Sequence, residues 1–162
     1  MEVENSIYFY NLKNDLGYMS NFYKTKFIDK NGIEFNCSEQ YFMYNKCKTF
    51  DPDNNSLLNN ILNESSPSKI KKYGRDIKNY DDKIWEEIRY EIMLEALRLK
   101  FNQNETIKKK LISTKPKLLY EASKYDKIWG IGFYDEDAIK TNTNEFGRNL
   151  LGKALMEIRD EL

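Results

Sequence analysis

The feature that most constrains the fold of this chain is a long amphipathic segment over residues 84–101. Ile84, Ile88, Ile92 and Ala96 recur every four residues, and the same apolar side is widened by three further residues: Trp85, Leu97 and Leu99. An apolar repeat with a period near 3.6 residues is typical of a helix that buries one face. The segment therefore predicts a long helix packed against the core, in a fold where helices predominate.

Short strands are predicted near the N-terminus. Residues 7–10 are an apolar and aromatic run that is followed by a turn signal, which favours a strand. Residues 27–28 and 33–35 flank Asn31-Gly32, a dipeptide typical of hairpin turns. These two segments predict an antiparallel hairpin that leads directly into a helix at Ser38.

The rest of the chain predicts further helices and irregular connections. Helices are expected after Ser38, from Pro67 as a short turn, over residues 106–113 and over about 147–162. Residues 51–68 form an irregular connection or a short helix around 57–62, residues 118–121 are a short apolar segment, and residues 122–144 are mostly irregular. Gly152 inside the last helix costs about 1 kcal/mol relative to alanine, which indicates close packing there. The pattern predicts an α+β fold, a mostly helical single domain over residues 1–162 with a small antiparallel sheet near the N-terminus.

The composition is that of a globular domain. Of the 162 residues, 40% are hydrophobic and 14% are aromatic, which is enough to build a core and argues against disorder. The 26 basic residues balance the 26 acidic residues, so no net charge attracts the protein to nucleic acid or to an anionic membrane. The balanced net charge does not exclude a local basic patch on the surface.

Several kinds of site and location are excluded. The chain has no histidine and two cysteines, Cys37 and Cys47, so the usual zinc ligand sets and histidine-dependent mechanisms are excluded. If Ser38 caps a helix, the two thiols lie about three turns apart, too far for a disulfide. The first residues do not resemble a signal peptide, and no apolar run approaches the ~20 residues that cross a membrane. We expect an intracellular, soluble (cytoplasmic) protein.

The first candidate site lies in residues 37–46. Ser38 is a favourable N-cap, and Glu39 falls in the first turn, where the helix dipole favours a carboxylate. Lys46 follows seven residues later, which places it on the same helix face about 10 Å along the axis. A carboxylate and an amine on one face are candidates for acid–base or covalent chemistry without imidazole. The alternative is a structural helix with two solvated charges.

A second candidate segment covers residues 126–132. Gly130 and Gly132 follow Trp129 closely, and glycines let the backbone approach a ligand while tryptophan offers a flat face for stacking a base. The alternative is a tight turn around a core tryptophan, in which Asp126 either caps the turn or acts in catalysis.

The sequence also suggests roles for two cationic residues, Arg75 and Lys100. Arg75 follows Gly74 and a basic run, and it can bind a phosphate through two parallel hydrogen bonds or belong to a solvated charge run. Lys100 near the end of the long helix is predicted to snorkel, with its amine favoured by the helix dipole.

Together these segments resemble the NADAR family, also called the YbiA-like family, in order over almost the whole chain. Residues 16–22 are similar to its "F/LSNF" element, residues 38–46 to its "SEHYFQAQK" helix and residues 74–75 to its central "GR". Residues 85–101 resemble "W…M…AL..KF", residues 121–132 resemble "L.E.S..D..WG.G", and residues 149–159 resemble the closing "N.LG..LM..R".

One position departs from the family pattern. Gln40 stands where the family commonly has histidine, and glutamine can form hydrogen bonds but cannot shuttle a proton at neutral pH. Either that histidine is not essential for the chemistry, or this member is slower or altered. We favour the first interpretation because Glu39 and Lys46 are retained.

The resemblance implies a hydrolase that cleaves N-glycosidic bonds. Its substrates would be ribosylamino-pyrimidine phosphates, which are early intermediates of riboflavin synthesis, or ADP-ribose attached to guanine bases. Catalytic roles are implied for Glu39, Lys46 and Asp126. Substrate binding is implied for Asn21, Phe22, Gln40, Gly74, Arg75, Trp85, Trp129, Gly130 and Asn149. No metal and no organic cofactor is implied.

Two mechanisms stay open from the residues. In the first, the Lys46 amine attacks C1 of an opened ribose to form a Schiff base that water resolves, while Glu39 or Asp126 moves protons. In the second, a carboxylate stabilises an oxocarbenium ion while water attacks, and Lys46 only holds a phosphate or a ribose hydroxyl. In both, Trp85 and Trp129 would wall or stack on the base.

Two other classes of function also stay open. The first is a non-catalytic module that binds ADP-ribose or a nucleotide, and the second is an interaction domain in which the aromatic residues form the core. The expected partner is a small nucleotide-like molecule or an ADP-ribosylated base in nucleic acid. Zero net charge favours the small molecule, or a base presented on a single strand.

Overall fold

The computed structural model describes the whole chain, Met1–Leu162, and helices predominate as predicted. The α-helices are α1 (Ser38–Phe50), α2 (Asn55–Asn63), α3 (Pro67–Tyr73), α4 (Asp82–Asn102), α5 (Glu105–Ser113), α6 (Asp135–Ala138) and α7 (Leu150–Glu161). The strands are β1 (Ser6–Phe9), β2 (Phe27–Ile28), β3 (Glu34–Phe35) and β4 (Leu118–Glu121). None of the helices is both long and apolar enough to cross a lipid bilayer.

The chain packs as two compact units. The central unit is Asn21–Asn104, and the terminal unit combines Met1–Ser20 with Glu105–Leu162. The assignment of residues 1–162 to one domain stays a prediction.

The central unit is built around α1. Strands β2 and β3 pair antiparallel with Phe27 opposite Phe35, and Gly32 at the turn has a φ of +80°, so the predicted hairpin is confirmed. Helix α1 packs against α2, α3 and α4. The segment that the sequence left open around residues 57–62 is helical, as α2, and Pro67 begins α3. The three neighbouring helices bury most of α1, which is why few of its side chains reach solvent.

The terminal unit contains a parallel strand pair. Strand β1 pairs with β4 in parallel, with Ile7 opposite Leu119, whereas the sequence predicted only the first of these as a strand. Helix α7 packs against β4. A methyl group at position 152 would overlap the carbonyl oxygen of Leu119, so the close packing predicted at Gly152 is confirmed. Residues 122–144 are mostly irregular, as expected, apart from the single turn of α6 and one 3-10 turn.

The buried face of α4 differs from the predicted one. Ile84, the first residue of the four-residue repeat, is 47% exposed. The buried row begins one position later and runs through Trp85, Arg89, Met93 and Lys100. Two of the buried residues in this row, Arg89 and Lys100, are cationic, so a pattern built only on apolar residues does not identify the buried face.

Lys100 is buried completely, so the snorkelling prediction is wrong. Its amine lies 5.2 Å from the centroid of the Phe101 ring and 5.5 Å from that of Tyr23. Burial lowers the pKa of the Lys100 amine to about 7, and the nearby Cys37 acts in the opposite direction.

We expect Lys100 to make the folded state more stable as the pH rises from 7 to 8.5. The unfolded chain keeps this lysine protonated over that window, whereas the folded chain releases the proton above a pKa of about 7. Because the unfolded state binds more protons, the free energy of unfolding increases with pH, by roughly 2 kcal/mol over this window. Below about pH 7 both states are protonated, and the cost of burying the charge is fully present.

Urea titrations at pH 7 and pH 8.5 measure how the free energy of unfolding changes with pH. Lys100→Met should flatten it, and an equal slope in both proteins would contradict this account.

Candidate active site

Helix α1 carries the predicted acid–amine pair. The helix begins with Ser38 itself: Cys37 is the N-cap and no side chain caps the helix, so the predicted N-cap is wrong by one residue. Glu39 lies in the first turn and is only 7% exposed. Its backbone N–H donates to the carbonyl of Asn21 at 3.0 Å. The buried Glu39 side chain therefore lies at the positive end of the helix dipole.

Aromatic rings surround the amine of Lys46. Its Nζ lies 4.6 Å from the centroid of the Tyr80 ring and 5.7 Å from that of Trp85. Trp85 is buried and contacts Phe42 and Phe50, with ring centroids 5.0 and 6.0 Å away. Lys46 itself is half-buried. The amine thus sits against a rigid aromatic wall while keeping one side open.

This environment changes the acid–base behaviour of Lys46. Desolvation lowers the pKa of its amine, while the negative charges of Glu39 and Asp82 raise that pKa and offset part of the effect. The net direction is downward, which enlarges the neutral, nucleophilic fraction of the amine at physiological pH. Glu39 and Lys46 therefore interact electrostatically along the helix.

Gly74 brings the backbone close to the same amine. A Cβ at this position would lie 2.6 Å from the sulfur of Met43 and 4.0 Å from Nζ of Lys46. Gly74 begins the 3-10 turn Gly74–Asp76, so the exposed Arg75 follows directly. Gly74 is thereby placed beside Lys46, and phosphate binding by Arg75 stays a prediction.

We expect Gly74→Ala to impair the site without unfolding the protein. The backbone of Gly74 is helical, with φ −57°, so alanine is tolerated there, but its methyl group would lie 2.6 Å from the sulfur of Met43 and 4.0 Å from Nζ of Lys46, so Met43 must move next to the amine. Activity on an N-glycoside should fall by about tenfold, while the unfolding midpoint changes little. Base release and thermal melts measure the two effects. The same change in a Met43→Ala background should cost less, and an equal loss there would contradict the proposed displacement.

The side chains of Asn21 and Phe22 precede the hairpin. Oδ1 of Asn21 is buried and has no hydrogen-bond partner within the protein, which is costly for an acceptor. The ring of Phe22 has the amine of Lys71 6.0 Å from its centroid. Substrate binding by Asn21 and Phe22 stays a prediction.

Gln40 braces the backbone in this structure. It is 1% exposed, and its Nε2 donates to the carbonyl of Ile61 at 2.9 Å and of Leu62 at 3.1 Å. Its Oε1 accepts from the backbone N–H of Asn36 at 2.7 Å. Both ends of the amide are therefore engaged in joining α1 to the end of α2. Substrate binding by Gln40 stays a prediction, but these contacts are those of a structural residue.

The remaining predicted residues lie in the terminal unit. Oδ1 of Asp126 accepts from the backbone N–H groups of Ile128 and Trp129, both at 2.9 Å, which is the turn-capping arrangement. A Cβ at Gly130 would lie 2.9 Å from the carbonyl oxygen of Asp126, so backbone packing accounts for this glycine. Trp129 is half-buried. A catalytic role for Asp126 and ligand contacts by Trp129 and Gly130 stay predictions.

Asn149 connects α7 to β4. It has a left-handed φ of 52°, donates from Nδ2 to the carbonyl of Leu119 at 2.9 Å and accepts the backbone N–H of Glu121 at 3.0 Å. These bonds use both ends of its side chain. Ligand binding by Asn149 stays a prediction, and its contacts are structural.

Three residues near Lys46 were missed by the sequence analysis. Tyr80 covers the amine, Asp82 accepts a hydrogen bond from the Tyr80 hydroxyl at 2.8 Å, and the guanidinium of Arg89 is buried and acts on Tyr80. Tyr80 lies in a connection without periodicity, and the two charged residues are ordinary members of a helix pattern. The burial of Arg89 is visible only in the structure, so no local signal in the sequence sets these three residues apart.

The chain is similar to several known proteins. The family model described as the NADAR domain matches residues 8–162. The chain belongs to the NADAR family. It is similar to the N-glycosidase R617 of Acanthamoeba polyphaga mimivirus, with 37% identity over 169 residues, 99% of this chain and 98% of that protein.

Two bacterial proteins are also similar to this chain. The N-glycosidase YbiA of Escherichia coli is 32% identical over 96% of this chain and 88% of its own length. Its NMR structure superimposes with a TM-score of 0.78 and 31% identity, covering 99% of this chain and 86% of that one. The riboflavin biosynthesis protein VVA0006 of Vibrio vulnificus is 30% identical over 99% of this chain, which spans 39% of that longer protein. Relatives of this chain are thus named as hydrolases of N-glycosyl bonds.

Proposed function

We propose that this protein is an N-glycosidase that hydrolyses the C1–N bond between a ribose and a nitrogen base. The observation that carries the proposal is the half-buried amine of Lys46, whose pKa is lowered by desolvation against Tyr80 and Trp85 on the same helix as the buried carboxylate of Glu39. An amine and an acid placed in this way can act on C1 and on the leaving base without histidine or metal.

The chemistry follows from these two groups. Protonation of the ring oxygen opens the ribose and leaves C1 joined to the base nitrogen as an imine. The neutral amine of Lys46 adds to C1, the C1–base bond breaks and the base leaves with a proton supplied by the acid. Water then hydrolyses the C1–Nζ imine, which releases the sugar aldehyde and restores the amine. Glu39 is the acid and base of this scheme, because its charge already acts on Lys46.

The favoured substrate is a ribosylamino-pyrimidine phosphate. The name of the Vibrio vulnificus relative supports a riboflavin intermediate. The exposed Arg75, next to the glycine that approaches Lys46, is suited to hold its phosphate. A balanced net charge offers no general attraction to nucleic acid. An ADP-ribosylated guanine is the second candidate, implied by the family resemblance.

The free thiols of Cys37 and Cys47 suit a reducing interior of the cell, where we place this activity. The two cysteines are both buried.

Base release from two substrates tests the proposal. Purified protein is incubated with the ribosylamino-pyrimidine phosphate and, separately, with an oligonucleotide carrying an ADP-ribosylated guanine, and products are resolved by chromatography. We expect many equivalents of free pyrimidine per protein from the first. Release from the second alone would change the substrate class. If both ligands remain unchanged but raise the melting temperature of the protein, the protein is a binding module and not an enzyme.

A further inference from the structure

The connection between the turn Gly74–Asp76 and α4 covers the amine of Lys46. It carries Tyr80, whose ring centroid lies 4.6 Å from Nζ, closer than that of Trp85. Tyr80 is 44% exposed whereas Trp85 is buried, so Tyr80 forms the solvent side of the aromatic wall. No local pattern in the sequence points to Tyr80, and the proposed reaction does not use it.

Several contacts hold Tyr80 in this position. Its hydroxyl donates to Oδ1 of Asp82 at 2.8 Å, and its ring meets the edge of Phe50 at 5.3 Å between centroids. The preceding Asn79 has a left-handed φ of 61°, which turns the chain at this point, and its side chain donates to the carbonyl of Phe50 at 3.5 Å. The connection is thus tied both to the end of α1 and to the start of α4.

The charges around Tyr80 keep its hydroxyl a donor. Desolvation and the carboxylate of Asp82 raise the pKa of Tyr80 to about 12, against a smaller opposite effect of Arg89. The phenol therefore stays protonated at neutral pH, and its bond to Asp82 persists. The carboxylates of Asp82 and Glu39 also favour the protonated form of Lys46.

We propose that Tyr80, tied to Asp82, is a positioning residue that holds the Lys46 amine against Trp85 and shields it from water. The inference rests on the proposed function, because it assigns Tyr80 a part in the work of that same amine. A ring over the amine excludes water from one face, and its electrons attract the ammonium form, so the amine is held in one place in both protonation states. Tyr80 acts through Lys46 and takes no proton itself.

Turnover of variants tests the positioning role. Tyr80→Leu removes the ring, and we expect kcat to fall by about thirtyfold with KM changed by less than about threefold, since the binding groups remain. Tyr80→Phe keeps the ring but loses the bond to Asp82, so a fall of about threefold is expected. Once Asp82 is replaced in Asp82→Ala, adding Tyr80→Phe should cost nothing further. Tyr10→Leu, which removes another exposed tyrosine, is the matched control and should leave kcat unchanged.

A second readout does not depend on activity. Proteins labelled with 13C at lysine Cε are titrated by NMR, and the Lys46 signal is assigned by its loss in Lys46→Arg. In Tyr80→Leu the pKa of Lys46 should rise towards that of an exposed lysine, because desolvation outweighs the other effects on this amine and the water that replaces the ring solvates the ammonium more strongly than the ring does. The pKa in Tyr10→Leu should equal that of the wild type.

The outcomes separate the two proposals. A wild type that releases no base, combined with a pKa of Lys46 that rises in Tyr80→Leu, would overturn the proposed function and keep the role of Tyr80. A wild type that turns over, combined with a Tyr80→Leu variant of unchanged kcat and unchanged Lys46 pKa, would overturn the role of Tyr80 alone. A loss of activity accompanied by a raised KM and an unchanged pKa would also overturn it, because it would make Tyr80 a binding residue.

Discussion

Replacement of Lys46 by alanine is expected to lower kcat/KM for base release by a factor of at least about 10³, because the scheme then lacks its nucleophile. The side chain is only half-buried, so the variant should remain folded. Initial rates of free base release, with circular dichroism as the folding check, measure the effect.

Two control variants test whether Lys46 acts as a nucleophile or only supplies a positive charge. Lys46→Arg keeps the charge but cannot form an imine, since arginine stays protonated at any usable pH. It should be as inactive as the alanine variant, and a rate within about tenfold of the wild type would show that Lys46 serves only to hold the substrate. Lys48→Ala removes an exposed lysine from the last turn of the same helix and should leave the rate unchanged.

Glu39→Gln should have the second largest effect, a fall in kcat of about 10²- to 10³-fold. The amide fits the same buried space in the first turn of α1 but cannot deliver a proton to the sugar or to the leaving base. The loss of its charge also lowers the pKa of Lys46 further, because that carboxylate favours the protonated amine.

The pH–rate profile distinguishes these two consequences. In the wild type we expect the rate to rise with pH as the amine of Lys46 loses its proton, and in Glu39→Gln this rise should occur at lower pH, because the pKa of Lys46 is lowered further. Glu87→Gln, an exposed residue of α4, is the matched control. An unaltered kcat in Glu39→Gln would contradict the role of Glu39 and would leave Asp126 as the candidate carboxylate.

Local signals predicted most of the fold. The hairpin around Asn31-Gly32 and the helix from Pro67 follow from turn and helix-start chemistry, which acts between neighbouring residues. The parallel pairing of β1 with β4 joins residues more than a hundred positions apart, and no local pattern encodes it. The buried face of α4 was misplaced by one residue, because Arg89 and Lys100 lie within it and a search for apolar positions passes over cations.

The candidate site was predictable to a similar extent. Glu39 and Lys46 lie on one helix, so their spacing could be computed from the sequence. The wall around the amine could not, because Tyr80 and Trp85 reach it from another part of the chain through tertiary packing. Gln40 shows the opposite limit: the family pattern suggested a ligand contact, whereas the structure joins both ends of its amide to backbone groups.

Borohydride trapping tests the central claim, that the Lys46 amine bonds to C1 of the sugar, most directly. Wild-type protein is mixed with the substrate that it cleaves, reduced during turnover, digested and analysed by mass spectrometry. We predict one reduced sugar adduct on the peptide that contains Lys46, absent without substrate and absent from Lys46→Arg. Base release at the full rate in the presence of reductant, without an adduct on Lys46, would contradict the claim and favour attack by water on an oxocarbenium ion.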